Sequence, residues 1–158
     1  MRIKLDTTDK ISEVFSALFF LAGIILVAAS IPQLPDIIPC HFKFSGEPDN
    51  YGSKHLLWIG ALLPLPMYIG FTILEFNPQF YRYRMDERLD MDLQYKLTSK
   101  MARSMKLLFS VFLFVIVWFM VQSAELKYTS YIKLLALFIP LIFGVIIYWL
   151  MKWRKVVK

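Results

Sequence analysis

The sequence is poor in the residues that build disulfides and metal centres. Its 158 residues include one cysteine, Cys40, and two histidines, His41 and His55. A single cysteine forms no internal disulfide and no thiolate zinc site by itself. The local motifs of phosphate-binding loops, zinc proteases and paired-cysteine redox proteins are also missing from the sequence. These absences narrow the enzyme classes that the chain can represent and leave its status as an enzyme open.

Charged residues are scarce as well. They make up 19% of the chain, whereas hydrophobic residues make up 58%. Soluble domains carry about 25% charged and about 45–50% apolar residues, so the composition excludes a disordered chain and disfavours a water-soluble globule. The net charge of +6 lies beside long apolar runs, which predicts membrane orientation and not nucleic-acid binding.

Four stretches contain no charged residue, namely 14–35, 55–74, 107–124 and 134–151. Each has about 18 residues or more, which is enough for a helix to cross about 30 Å of hydrocarbon. The first run is longer than the core of a signal peptide, so we expect it to be retained. The predicted fold is an all-α integral membrane protein, a single membrane domain over 1–158 with an ordered extracytoplasmic loop between helices 1 and 2. Its predicted segments are spans 13–32, 55–76, 104–124 and 131–151, outer loop 33–54 and cytoplasmic loop 77–103.

The basic residues predict the orientation of these spans. Fourteen Lys and Arg residues lie before the first span, between the second and third, and after the fourth, whereas four lie in the other two connections. Because basic residues accumulate on the cytoplasmic side, both termini are predicted to be cytoplasmic.

The second loop carries an apolar residue at every fourth position. These residues are Met85, Leu89, Leu93, Leu97, Met101 and Met105. The repeat predicts a helix that runs into the third span. The basic residues near its end, Lys96, Lys100, Arg103 and Lys106, favour contact with lipid headgroups. A docking face for a cytoplasmic partner is the alternative.

Prolines interrupt two of the spans. Pro64 and Pro66 lie within the second span and Pro140 within the fourth, where each removes a helical hydrogen bond and predicts a kink. A kink can serve as a midplane ligand site, but no ionisable side chain accompanies these prolines, and Glu75 comes closest. We therefore expect packing kinks, and the pattern disfavours a proton-coupled transporter.

The outer loop combines turn-forming and apolar residues. Its prolines favour extended or turned backbone, and Gly46 and Gly52 permit positive φ. The apolar residues of the loop are Ile37, Ile38, Phe42, Phe44 and Tyr51. They predict that the loop folds as a cap against the helix ends. Ser53 is the expected N-cap of the second span.

The same loop resembles the uncharacterised membrane domain at the N-terminus of SdpI-type bacterial immunity proteins. That family's pattern is Leu-Pro-Asp-x-Ile-Pro-x-His-Phe-x-x-x-Gly-x-Pro-Asp followed by Ser-Lys. The matching positions are Leu34, Pro35, Asp36, Ile38, Pro39, His41, Phe42, Gly46, Pro48, Asp49, Ser53 and Lys54. The resemblance covers about residues 14–78, and the chain lacks the later Gly-x-Arg-Thr-Pro-Trp-type segment of the full-length proteins.

The resemblance implies a multi-pass protein of the bacterial cytoplasmic membrane with a binding role in toxin immunity or signal transduction. The implied partners are the lipid bilayer and a peptide toxin or membrane protein, and a homo-oligomer is a further expectation. The implied binding or structural residues are Pro35, Asp36, Pro39, His41, Gly46, Pro48, Asp49, Ser53 and Lys54.

The loop also offers metal ligands. His41, Asp36 and Asp49 are residue types that zinc accepts, so a zinc-dependent membrane enzyme is one alternative and a small transporter component is another. We expect no cofactor and a structural role instead, in which Asp36 and Asp49 cap turns while His41 and Lys54 pair with these carboxylates. A nucleophilic role for Cys40 is disfavoured, because neighbouring residues in an extended chain point to opposite sides.

Overall fold

The computed structural model describes residues 5–43, 45, 47–77, 80, 90–124 and 132–157, and of residues 132–136, 156 and 157 it describes the backbone. The helices are α1 (Thr7–Ser30), α2 (Leu56–Leu62), α3 (Pro64–Phe76), α4 (Met91–Ala124) and α5 (Ile132–Val157). A 3₁₀ turn spans Ile31–Gln33, and the strands are β1 (Ile37–Phe42) and β2 (Pro48–Ser53).

α1 begins at a reciprocal cap. The Asp6 side chain accepts a hydrogen bond from the Asp9 amide at 2.9 Å, and the Asp9 side chain accepts one from the Asp6 amide at 3.0 Å. Both bonds satisfy donors that the first helical turn leaves free. The helix then continues for 24 residues to Ser30.

The second apolar segment is broken into two helices at Leu63. α2 ends at Leu62 and α3 begins at Pro64, which lacks the N–H needed to continue the hydrogen-bond ladder. The predicted interruption is therefore confirmed at Pro64. Pro140, in contrast, lies inside α5, which continues on both sides of it.

α4 is the central helix of the bundle. It has 34 residues and is therefore about 51 Å long. It contacts α1, α2, α3, α5 and β1, and its first turns confirm the helix that the four-residue repeat predicts. Leu97 and Met105 of that repeat are buried, whereas Leu93 is exposed. Met85 and Leu89 lie outside the described residues.

Within the described residues, four helical segments are long and apolar enough to cross a membrane. They cover Thr7–Gln33, Leu56–Phe76 (α2 and α3 together), Met91–Ala124 and Leu137–Lys155. Large apolar side chains remain exposed along α1 and α5, including Leu18, Ile25, Leu141 and Ile147. Lipid is a solvent in which such exposure costs little, so the outer surface fits a bilayer environment.

The loop after α1 forms a β-hairpin, which the loop prediction did not include. β1 pairs antiparallel with β2, with Ile37 opposite Ser53 and Ile38 opposite Gly52. Pairing becomes irregular after Pro39. A two-stranded sheet has only edge strands, and edge strands tolerate prolines that cannot donate to a ladder.

The hairpin covers one end of the bundle, which we call the hairpin end. Ile38 is fully buried there, and the ring of Phe42 lies 4.9 Å from that of Phe119 on α4 in an edge arrangement. The buried core at this end consists of Val27, Leu34, Ile38, Leu57, Ala61, Val117, Val121 and Ala124.

Gly52 is required by a close approach and not by its backbone angle. Gly52 does not use the positive φ that glycine permits, and it lies in β2 opposite Ile38. A Cβ atom there would lie 3.0 Å from Cys40 Sγ and 2.7 Å from Leu56 Cδ1. The missing side chain therefore lets β2 pack against Cys40 and the start of α2. Gly46 lies outside the described residues.

Candidate functional site

The hairpin brings most of the predicted site residues together. Pro35 and Asp36 precede β1, Pro39 and His41 lie in β1, Pro48, Asp49 and Ser53 lie in β2, and Lys54 follows it. The predicted residues thus form one local unit at the hairpin end. We call this unit the hairpin site.

His41 and Asp49 link the two strands near the turn. The Nδ1–H group of His41 hydrogen-bonds Asp49 Oδ1 at 2.5 Å. The His41 side chain remains 70% exposed, so a partner outside the hairpin can reach it. The pairing of His41 with a carboxylate agrees with the structural interpretation of the motif.

Lys54 closes the base of the hairpin. Its Nζ donates to the Leu34 carbonyl at 3.1 Å and lies 3.1 Å from Asp36 Oδ1. Its backbone amide donates to the Asp36 carbonyl at 3.0 Å. One residue therefore joins both ends of the loop, as its expected pairing with Asp36 requires.

Two details of the sequence prediction are wrong. Within the described part of the chain, neither Asp36 nor Asp49 accepts a side-chain hydrogen bond from a backbone amide, because Lys54 and His41 engage these carboxylates instead. Ser53 is not the N-cap of α2, since His55 occupies that position without a capping side chain. The Ser53 hydroxyl accepts a bond from the amide of His55 itself at 3.3 Å, immediately before the helix.

The hairpin site does not assemble the three metal-ligand candidates. His41 and Asp49 are adjacent, whereas Asp36 is joined to Lys54 at the other end of the strands. Among the described residues, no group of three or more His, Cys, Asp or Glu side chains is arranged to hold a metal ion. The three candidate ligands are therefore divided between the two ends of the hairpin site.

Cys40 has different neighbours from His41. Its thiol lies 3.4 Å from the Ile38 carbonyl and next to Gly52. Burial raises the pKa of the Cys40 thiol, while the backbone hydrogen bond at Gly52 opposes this shift. A raised pKa lowers the thiolate fraction at neutral pH, which disfavours a nucleophilic role.

A second site, which the sequence analysis missed, lies at the opposite end of the bundle. Seven ionisable residues meet there between α1, α3 and α4, and we call them the charged cluster. They are Asp6, Asp9, Glu13, Glu75, Lys100, Arg103 and Lys106. The sequence analysis named Glu75 as the ionisable residue closest to the prolines but did not predict that it is buried against Arg103 and Lys106.

Lys106 is the most completely satisfied member of the charged cluster. Its side chain is 1% exposed, and its Nζ lies 2.6 Å from Glu13 Oε2 and 3.0 Å from Glu75 Oε1. The Thr72 hydroxyl lies 3.3 Å from the same nitrogen, and the Tyr68 ring centroid lies 5.0 Å away. Such a charge-assisted network is what a buried ammonium requires.

Arg103 is buried without hydrogen bonds of good geometry. Its side chain is 2% exposed, and its nitrogens lie 3.2 Å from Asp9 Oδ1 and 3.7 Å from Glu13 Oε1 and Glu75 Oε2. These contacts are ion pairs, yet Nε, Nη1 and Nη2 all lack a hydrogen-bond acceptor. Arg103 is therefore held by charge attraction and not by directed hydrogen bonds.

The burial of Arg103 and Lys106 overturns the expectation that they contact lipid headgroups. The acidic residues of α1 and α3 form ion pairs with both side chains inside the bundle. A sequence signal for this exists, because Asp6, Asp9 and Glu13 recur at helical spacing on α1, and Lys100, Arg103 and Lys106 do so on α4. Two complementary charged faces on apolar helices predict that the helices pair.

Acid should weaken the fold through Asp6. Its hydrogen bonds with Lys100, then Thr8 and the Asp9 amide, hold the pKa of Asp6 well below its ordinary value. Ionised Asp6 therefore stabilises the fold above an unfolded pKa of about 3.9, and this contribution is lost as the pH falls through the lower folded value.

We expect the thermal unfolding midpoint of the wild type to fall more steeply below about pH 4 than that of Asp6→Asn. Asparagine is an equally good N-cap, so this comparison isolates the charge. Parallel pH profiles for the two proteins would contradict the role of ionised Asp6.

Comparison with known proteins identifies a domain match in the first half of the chain. Residues 18–65 match the model of a domain of unknown function, DUF1648. The matched segment contains the whole hairpin site and none of the charged cluster. No curated protein and no solved structure matches the chain.

Proposed function

We propose that the protein is a multi-pass protein of the bacterial cytoplasmic membrane whose hairpin site binds a peptide or membrane-protein partner outside the cell. The SdpI-like pattern over Leu34 to Lys54 supports toxin immunity or signal transduction as the purpose of this binding. The excess of Lys and Arg in the other connections supports the external position of the hairpin, with both termini cytoplasmic.

One observation supports the binding role: one face of the hairpin packs against the helices, and the opposite face is exposed. Ile38 is fully buried, whereas the neighbouring Ile37 is 68% exposed and Tyr51, on β2, is also exposed. Ion pairs tie both ends of the strands. A rigid support that presents apolar and polar side chains loses little entropy on binding, and this favours recognition.

A protection assay tests the proposal. Cells that produce the wild-type protein should survive the secreted peptide toxin against which SdpI-type proteins protect. The variants His41→Ala and Asp49→Asn should lose this protection at unchanged membrane levels, because each removes one side of the same exposed pair. Asp92→Asn, a carboxylate in the first turn of α4, is the matched control and should protect fully.

Labelling locates the site in the same cells. A Cys40→Ser, Tyr51→Cys protein should react with a membrane-impermeant maleimide in intact cells, whereas Cys40→Ser, Lys152→Cys should react only after permeabilisation. Full protection by both hairpin variants, or labelling with the reverse sidedness, would reject the proposed function.

A further inference from the structure

Among the described residues, the charged cluster contains more acids than bases. Four carboxylates, from Asp6, Asp9, Glu13 and Glu75, face three cations, from Lys100, Arg103 and Lys106. The other polar groups that face Lys106 are the Tyr68 ring and the Thr72 hydroxyl. An unbalanced charge is costly in apolar surroundings, and a bound proton removes it.

The contacts of the cluster indicate which carboxylates share that proton. Asp6 is paired with Lys100, and Asp9 lies near both Lys100 and Arg103. Glu13 and Glu75 both form their shortest ion pair with the same residue, Lys106. Both glutamates therefore depend on the same two cations, with Lys106 within 3.0 Å of each and Arg103 at 3.7 Å from each.

Each of these two glutamates also keeps one oxygen without a hydrogen bond. Glu13 Oε1 and Glu75 Oε2 are buried and unpartnered, and each lies 3.7 Å from Arg103 Nε. A protonated carboxyl group donates a hydrogen bond, and an ionised carboxylate accepts one. A proton shared by the two glutamates therefore gives these oxygens a hydrogen bond that they otherwise lack. Two carboxylates beside each other commonly retain one proton between them.

We propose that Glu13 and Glu75 form a proton-binding site that holds one exchangeable proton at neutral pH. Lys106 and Arg103 stabilise the carboxylate that remains ionised. Glu75 is 0% exposed and Glu13 is 24% exposed, so Glu13 is the route by which the proton enters and leaves. The inference does not depend on the proposed binding function of the hairpin.

Infrared difference spectroscopy of the protein in lipid vesicles tests this proposal directly. The wild type should show, at neutral pH, the carbonyl stretching band of a protonated carboxyl, which exposed carboxylates with a pKa of about 4 do not give. The band should shift in heavy water and disappear when the pH is raised. A wild-type spectrum without such a band would overturn the proposal, whatever the variants do.

Conservative variants assign the band. Glu75→Gln and Glu13→Gln should each abolish it, because glutamine resembles the protonated carboxyl in shape and charge and leaves the partner glutamate with two cations. Asp36→Asn, which alters a carboxylate of the hairpin site, should leave the band unchanged. Persistence of the band in both glutamine variants, with wild-type helical circular dichroism, would show that the proton lies elsewhere and reject the site.

Discussion

Replacing Lys106 with methionine should lower the free energy of unfolding by about 3 kcal/mol, at the lower end of the cost of breaking a buried ion pair. The substitution removes the ammonium that Glu13 and Glu75 share and leaves an apolar chain of similar length. The lower end applies because the two glutamates can take up a proton in place of the lost charge. Reversible unfolding in mixed detergent micelles measures the effect.

Lys100→Met is the matched control for this substitution. Lys100 lies on the same helix and pairs with Asp6, but both side chains are partly exposed. Exposed pairs contribute little to stability, so Lys100→Met should lose much less than Lys106→Met. The double variant Glu75→Gln, Lys106→Met should lose less stability than the sum of its single variants, by about 0.5–3 kcal/mol. Equal losses for the two lysines, or additive single effects, would contradict a buried network.

Ile38→Ala should have an effect of similar size at the hairpin end. Ile38 is fully buried in the core beside Leu57 and Val121, and truncation of such a residue costs about 2–5 kcal/mol. Ile37→Ala, one position earlier, removes a side chain that is 68% exposed and should change stability by about 0.5 kcal/mol or less. Chemical denaturation and limited proteolysis between β1 and β2 measure both.

The pair of isoleucine variants separates anchoring from recognition. Ile38→Ala should increase cleavage within the hairpin, because it detaches β1 from the helices, whereas Ile37→Ala should leave cleavage unchanged. If the two variants lose the same stability, the burial pattern of β1 is wrong, and the hairpin does not rest on the bundle through Ile38.

The sequence predicts those parts of the structure that depend on nearby residues. Uncharged runs of about 18 residues predict four apolar helices, and a proline predicts the break before Pro64. The pairs of His41 with Asp49 and Lys54 with Asp36 were also predictable, since both partners lie in one short loop. The two strands were not predictable, because prolines and glycines interrupt the alternation of apolar and polar residues that is typical of strands.

The charged cluster depends on residues that are far apart in the chain. Glu13 and Lys106, which are 93 positions apart, meet only after α1 packs against α4. Counting basic residues for orientation hides this role, since a buried lysine and a headgroup-facing lysine contribute equally to such a count. The acidic residues on α1 could have predicted this role. Acidic residues at helical spacing next to an apolar run need basic partners if they are to be buried.

α4 has a mechanical consequence for the two ends of the bundle. α4 contains neither proline nor glycine from Met91 to Ala124, so it behaves as a rigid helix. The α2–α3 segment, in contrast, is interrupted at Leu63. Phe119 touches the hairpin, and Lys106 touches Glu75. A rotation or translation of α4 that changes one of these contacts therefore also changes the other, which lies about 20 Å away along the same helix axis.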